Sequence, residues 1–261
     1  MTSGVDMDAN VAMASDIIRQ AADAGADFIT TPEVTHLMVL KTKELFCKIY
    51  PQADDPGLKA FQALAAELGK WVLIGSLAIR LSETMVANRS FLIAPDGSIK
   101  SIYDKAHMFD VDLPSGESYR ESATYQAGSD LVMADTPWGR LGQTICYDLR
   151  FSYLYRDLAQ GGADFVTIPA AFTQQTGEAH WHVLQRARAI ETGCFIIAAA
   201  QTGTHECGRK TYGHSLIINP WGEVLADAGT EVGFITAEID IAEVAAARAQ
   251  IPVLAADRRL S

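Results

Sequence analysis

Gly139-Arg-Leu-Gly-Gln-Thr-Ile-Cys146 reads as a strand, and the chain beyond it sets the fold class. Residues 151–160 carry helical spacing, Gly161-Gly162 stop them, and Asp164-Phe-Val-Thr-Ile168 is an apolar run that predicts a second strand. The alternation extends upstream. Residues 8–24 predict an amphipathic helix, with Val11, Ala14, Ile17, Ile18, Ala21 and Ala22 on one face and Gly25 at the cap position. Residues 27–31 predict a strand stopping at Pro32, residues 58–68 a helix closed by Gly69, and Trp71-Val-Leu-Ile-Gly75 a buried strand. Residues 89–103 read as a hairpin turning at Pro95-Asp96-Gly97, and Pro137-Trp-Gly139 and Pro220-Trp-Gly222 as further strand-connecting turns. Downstream, a helix over 178–192, strands over 194–200, 215–219 and 234–239, and a small helix over 242–250 complete the pattern. It predicts an α/β fold of one or two mixed sheets covered by helices. No Pro- or Ser-rich linker interrupts it, so a single domain over 1–261 is expected.

Composition narrows the function classes. Hydrophobic residues make up 49% of the 261 residues and charged ones 20%, which suits a globular core and not a disordered chain. Four irregularly spaced cysteines are too few for a disulfide scaffold. No apolar run reaches the ~20 residues that a membrane-crossing helix needs, and Met1-Thr-Ser-Gly-Val-Asp6 lacks the basic and apolar regions of a secretory signal. A net charge of −11 argues against nucleic acid or an acidic membrane as partner. The expectation is a soluble, cytoplasmic protein with reduced thiols.

Three polar residues fall where predicted strands end: Glu33 after Phe28-Ile-Thr-Thr-Pro32, Lys105 after Ser101-Ile-Tyr-Asp104, and Cys146 after Leu141-Gly-Gln-Thr-Ile145. Ligands of α/β sheets collect outside the carboxyl ends of strands, so the three can share one crevice. Singly, each has a bland reading, a buried thiol or a solvated loop charge. Together they make an acyl-transfer device. A carboxylate takes the thiol proton, an ammonium favours the thiolate and a developing oxyanion, and the carboxylate then serves the departing amine and the incoming water.

With Thr31-Pro-Glu33, Tyr103-Asp-Lys105 and Ile145-Cys-Tyr-Asp-Leu-Arg-Phe151 in this order and spacing, the chain resembles the carbon–nitrogen hydrolase (nitrilase) superfamily over essentially its whole length. The resemblance implies Glu33 as general base, Lys105 as oxyanion stabiliser, Cys146 as nucleophile and the backbone N–H of Tyr147 as second oxyanion donor. It also implies that Glu121 positions the substrate and Lys105. The implied fold is a four-layer αββα sandwich, a homodimer or higher homo-oligomer through its helical faces, with no cofactor and no metal. Lys105-Ala-His-Met-Phe-Asp110, Pro169-Ala-Ala-Phe-Thr173, Thr176-Gly-Glu-Ala-His-Trp181, Arg186-Ala-Arg-Ala-Ile-Glu191, Tyr212-Gly-His-Ser215 and Asn219-Pro-Trp-Gly222 are similar to the deaminated-glutathione amidase and omega-amidase branch. That branch implies a small-molecule substrate, a 2-oxo acid bearing a distal amide, with deaminated glutathione ahead of 2-oxoglutaramate. Nitrile or N-carbamoyl-amino-acid hydrolysis would use the same mechanism. A catalytically silent binding or scaffold protein is the alternative of another class; loss of one of the three residues would mark it, and all three are present.

Other residues carry two readings each. Arg150 is either a structural ion pair or a carboxylate clamp, for which its bidentate fork is suited. Phe172 and Thr173 end a strand beside the crevice and are expected to touch substrate. Arg186, Arg188 and Glu191 are either a solvated face or neighbours of the site, and Trp181 is read as core. His180-Trp-His182 and His205-Glu-Cys207 lack convincing zinc spacing. Gly213-His-Ser215 fails as a serine elbow because Ile217 stands where the final glycine belongs. Cys47, Cys194 and Cys207 are read as packing residues. One departure from the family stands at the start: members carry an apolar strand ahead of the segment matching Thr2-Ser-Gly-Val-Asp6. The expectation is that the natural chain begins about 6–10 residues earlier, a strand plus its lead-in.

Overall fold

The computed structural model describes residues 1–113, 116–256 and 258. Asp6 starts the first helix, its side chain accepting from the N–H of Ala9 at 3.0 Å and capping α1 (Met7–Asp23). After β1 (Phe28–Thr30) and the short α2 (Thr42–Phe46), Asp55 caps α3 (Pro56–Leu68) in the same way, with proline in its first turn and left-handed Gly69 at its end. Then come β2 (Trp71–Arg80), β3 (Val86–Ile93), β4 (Ile99–Asp104), β5 (Asp110–Asp112), β6 (Ser118–Arg120), β7 (Met133–Asp135) and β8 (Arg140–Gln143). Beyond them lie α4 (Ser152–Gln160), β9 (Phe165–Thr167), α5 (Gln174–Thr192), β10 (Phe195–Ala198), β11 (Thr202–Thr204) and β12 (Lys210–Tyr212). The last elements are β13 (Leu216–Ile218), β14 (Val224–Asp227) and α6 (Ala242–Gln250).

Two mixed sheets result. The first has the order β1-β2-β3-β4, with β1 parallel to β2 and the rest antiparallel; the second runs β14-β13-β10-β9-β8-β7. The period-2 geometry of a strand divides the apolar residues between layers. Leu73 and Leu92 face Leu141, Phe165 and Phe195 of the other sheet. The alternate residues Val72, Ile74 and Phe91 meet Ala14 and Ile18 of α1 and Phe61 and Ala65 of α3. On the far side, Leu154 and Leu158 of α4 and Trp181 and Ala189 of α5 cover Val166, Ile196 and Leu216. This is the expected four-layer αββα sandwich. Trp181 and Phe61 are fully buried, and each such side chain contributes roughly 1.5–3 kcal/mol. Among the described residues no helix is long and apolar enough to cross a membrane.

Several expectations need correction. Residues 234–239 form no strand. With Met1, β1, Phe165 and Ile197 they border a groove of about 940 Å³, across which β1 keeps a free edge; an extended segment without a neighbour has no ladder to join. The helix expected from 178 begins at Gln174, where Thr173 takes the N-cap position. The hairpins β5–β6 and β11–β12 and the short elements α2 and β7 were not legible, being brief and polar in sequence. Of the three cysteines read as packing residues only Cys194 is buried; Cys47 is exposed and Cys207 half-buried.

Candidate active site

Glu33 owes its place to a tight turn after β1. The N–H of Thr31 bonds to the Leu73 carbonyl at 3.0 Å and that of Ser76 to the Pro32 carbonyl at 3.3 Å. The backbones approach so closely that a Cβ at Gly75 would stand 2.0 Å from the Thr31 carbonyl oxygen and 2.5 Å from that of Pro32. The next residue, Val34, takes φ 50°, a conformation that a β-branched residue holds only under constraint. Lys105 leaves β4 with its N–H on the Asn88 carbonyl at 2.9 Å. Cys146 leaves β8 with its N–H on the Pro169 carbonyl at 2.9 Å and φ 49°, opening a 3₁₀ turn over Cys146–Arg150. Left-handed non-glycine backbone on both sides of the crevice is strain of the kind that clusters at working sites.

The buried Asp148 carboxylate binds two of these arms together. Its Oδ2 accepts from the Tyr103 hydroxyl at 2.7 Å and from the Ile145 N–H at 2.8 Å. Its Oδ1 accepts from the His107 N–H at 3.0 Å and stands 2.6 Å from His107 Nδ1.

The four polar side chains converge. Lys105 Nζ donates to Glu33 Oε1 at 2.9 Å and to both oxygens of Glu121 at 3.0 and 2.9 Å. Glu33 Oε1 also accepts from Asn88 Nδ2 at 2.8 Å, and Oε2 from the Ala171 N–H at 2.8 Å. Glu121 sits in a 3₁₀ turn with Oε2 on the Phe109 N–H at 2.6 Å. Glu33, Lys105 and Cys146 are 4%, 2% and 6% exposed, so their charges act with little screening. Together with Glu121, Tyr147 and Phe172 they line one cavity of about 300 Å³.

Burial opposes charge on Glu33, but the adjacent Lys105 ammonium, a hydrogen bond from the Cys146 thiol and the charge of Arg209 together outweigh it and hold the carboxyl below its ordinary range. Burial likewise opposes charge on Lys105, and the Glu121 and Glu33 carboxylates overcome it, raising the amine well above its usual value. Cys146 goes the other way: burial, then the Glu33 carboxylate, push the thiol well up, with Lys105 only partly opposing. The resting arrangement is a neutral thiol beside an ionised carboxylate and a fixed ammonium. Such a set can accept a thiol proton as the sulfur attacks and can stabilise an oxyanion at once.

Tyr147, Phe172 and Thr173 also line the cavity, and the Tyr147 N–H, at the head of its turn, has no acceptor within that turn. Arg150 is not among the lining residues; its guanidinium lies over the Phe172 and Tyr147 rings, at 5.1 and 5.9 Å from their centroids, and 3.3 Å from His180 Nδ1. Arg188 is buried over Tyr155 and paired with Glu191 at 2.7 Å, and Arg186 holds the Gly222 carbonyl at 2.7 Å, so both are structural. His205 is buried between the Ser3 carbonyl and the Thr211 hydroxyl. His182, His214 and Asp227 bring ligand-type atoms within 4.8 Å of one another, outside the cavity, and are joined by mutual hydrogen bonds.

Sequence reasoning missed Asn88, Tyr119, Asp148 and Arg209. Asn88-Arg-Ser90 breaks the apolar run of β3, and strand alternation puts Asn88 and Ser90 on one face, where both are buried; that signal of buried polar work was available. Nothing local distinguishes Arg209.

The carbon–nitrogen hydrolase profile matches residues 1–249. The deaminated glutathione amidase of Yersinia enterocolitica is 39% identical over 100% of this chain and 92% of its own length. Omega-amidase NIT2 of Homo sapiens is 35% identical over 94% of this chain and 87% of its own. The crystal structure of the Caenorhabditis elegans NitFhit protein superposes with TM-score 0.89 and 34% identity, covering 98% of this chain; the chain spans 64% of that protein.

Proposed function

The chain belongs to the carbon–nitrogen hydrolase family, and we propose that it is an amidase cleaving the distal amide of a 2-oxo acid through a thioester on Cys146. One observation carries the chemistry: Glu33, Lys105, Glu121 and Cys146 share a single buried cavity. The names of the relatives support the substrate class, with deaminated glutathione favoured and 2-oxoglutaramate second.

In this reading Cys146 Sγ attacks the amide carbon as its proton passes to Glu33. The oxyanion is held by Lys105 Nζ and the Tyr147 N–H, and Glu121 positions Lys105. The C–N bond breaks as Glu33 returns the proton to the leaving amine. Glu33 then takes a proton from water as the water oxygen attacks the thioester, and returns that proton to the departing sulfur as the C–S bond breaks, releasing 2-oxoglutarate and the free thiol. Phe172 and Thr173 flank the acyl group.

We further propose a homodimer in the cytoplasm. Tyr153 of α4, Val183 and Ile190 of α5 and Trp221 are each at least half exposed, an apolar set suited to a partner copy. The four cysteines are unpaired, as in a reducing compartment.

Incubation with both acids, following Cys-Gly from one and ammonia from the other, tests the substrate. Turnover of a nitrile or an N-carbamoyl amino acid with neither acid cleaved overturns the proposal. Cys146→Ala should abolish turnover while leaving thermal unfolding unchanged.

A further inference from the structure

Three cationic side chains line the cavity: Lys105, Arg120 and Arg209. Lys105 is engaged by Glu33 and Glu121. Arg120 is exposed and forked onto both oxygens of Asp112 at 2.9 Å. Arg209 is different. It is half-buried, its Nη2 donates to the Ala171 carbonyl at 2.7 Å, and its guanidinium lies 5.2 Å from the Tyr119 ring centroid. Its Nε is buried with no hydrogen-bond partner, and the one carboxylate whose charge it feels is that of Glu33, with which it forms no direct ion pair among the described residues.

Such a group is costly to keep. A partly buried guanidinium gives up hydration and recovers it only from an anion or a full set of acceptors. Here one carbonyl, one aromatic face and the more distant charge of Glu33, already held by Lys105, are supplied, and a donor is left over. The fold nevertheless holds this side chain firmly. Arg209 directly precedes β12 and ends a tight turn in which the His205 N–H bonds to the Arg209 carbonyl and the Gly208 N–H to that of His205, each at 2.8 Å. The turn is fastened through His205 to Ser3 and Thr211. Ala171 joins this arm to the catalytic one: its N–H holds Glu33 Oε2 and its carbonyl holds Arg209. The surrounding protein carries a net charge of −11, so an acidic substrate meets general repulsion and needs a local cation to settle.

We propose that Arg209 anchors a carboxylate of the substrate, making the cavity a site for amides that carry an acid group at a distance from the scissile bond. The planar fork offers two parallel donors to a carboxylate, with Tyr119 stacking on its face. This rests on the amidase reading above and extends it to the choice among amides.

The test compares 2-oxoglutaramate with pentanamide, an amide of the same chain length lacking both the oxo and the acid group, and with the 2-oxoglutaramate methyl ester, which lacks only the charge. The preference ratio, kcat/KM of the acid over that of its ester, should fall about 30–100-fold in Arg209→Gln, mostly through KM, with Arg209→Lys in between. Arg150→Gln, outside the lining, should shift the ratio less than about threefold. An equal loss on acid and ester, or a ratio that follows Arg150 and not Arg209, overturns the anchor. Equilibrium binding of 2-oxoglutarate by calorimetry reads the anchor without turnover. Weakening about 30–100-fold in Arg209→Gln supports it even if no amide is cleaved, which would sink only the amidase reading. Unchanged or undetectable binding in the wild type and the variant counts against the anchor.

Discussion

The Tyr103 hydroxyl donates to Asp148 Oδ2 across 2.7 Å, two residues before Lys105 on one side and two after Cys146 on the other. This buried contact sets the distance between ammonium and thiol more directly than any contact between them. Asp148→Asn keeps the shape but turns a donor toward donors, and each orphaned buried donor costs about 1–3 kcal/mol. The midpoint of thermal unfolding should fall by roughly 5–10 °C, with a loss of kcat that exceeds any change in KM. An unchanged melting curve would show that the network is dispensable.

Glu33→Gln should leave the fold standing and reduce kcat by about 10²–10⁴-fold, the usual worth of a positioned base. The amide oxygen can keep either Lys105 with Asn88 or the Ala171 N–H but not both, so one buried hydrogen bond is lost while the substrate's own contacts remain, and KM should change much less than kcat. Single-turnover measurement of thioester formation checks this, and normal acylation with only slow hydrolysis would restrict Glu33 to the second step.

The charge pattern fixes the pH behaviour. Glu33 is held below its ordinary range by Lys105 against the opposing effect of burial, while Lys105 and Cys146 are both raised. The active form, carboxylate with ammonium and thiol, therefore spans the interval between the ordinary carboxylate and thiol values, about 4.3 and 8.5. A plot of kcat/KM should be level from about pH 5.5 to about pH 8. The sign for stability follows from linkage. The Glu33 contribution is complete above the unfolded carboxyl value and is lost as pH falls through the lower folded one. A limb near neutrality in kcat/KM would point to a base other than Glu33.

Gly75→Ala should be damaging out of proportion to one methyl group. Its Cβ would overlap the carbonyl oxygens of Thr31 and Pro32, which are backbone and cannot swing aside. Overpacking of this kind costs about 1–3 kcal/mol or more, and a shift of Glu33 by about 1 Å can cost about 10²-fold in rate. Activity and melting temperature measured together decide it; wild-type values for both would mean that the strand end yields freely.

The sheets and helices were legible where a period persisted, as in Val72-Leu-Ile74, whose alternation assigns Leu73 to one layer and its neighbours to another. Glu33, Lys105 and Cys146 were legible because strand ends announce them, and they do meet in one cavity. Asp148 was hidden inside a quoted motif, since its work lies in four hydrogen bonds from residues as far away as Tyr103. Arg209 was invisible because a short polar hairpin delivers it. Arg150 reads in sequence equally as an ion pair or a clamp, and the 3₁₀ turn sets its guanidinium over the Phe172 and Tyr147 rings. Residues 234–239 looked like a strand because their sequence suits one, but pairing is a property of neighbours.

The groove beside β1 makes the two sides of one short strand keep different time. The Thr31 N–H is committed to Leu73, so by alternation the Thr30 N–H turns toward the groove. In heavy water the first should exchange on the clock of the sheet and the second within the fast class, although they are adjacent in sequence. Among the described residues β1 is thus paired on one flank only, whereas Glu33 beyond it is held from Asn88, Ala171 and Gln201. Opening that begins at Thr30 reaches Glu33 only when those contacts also break, so activity should outlast the first loss of exchange protection in β1.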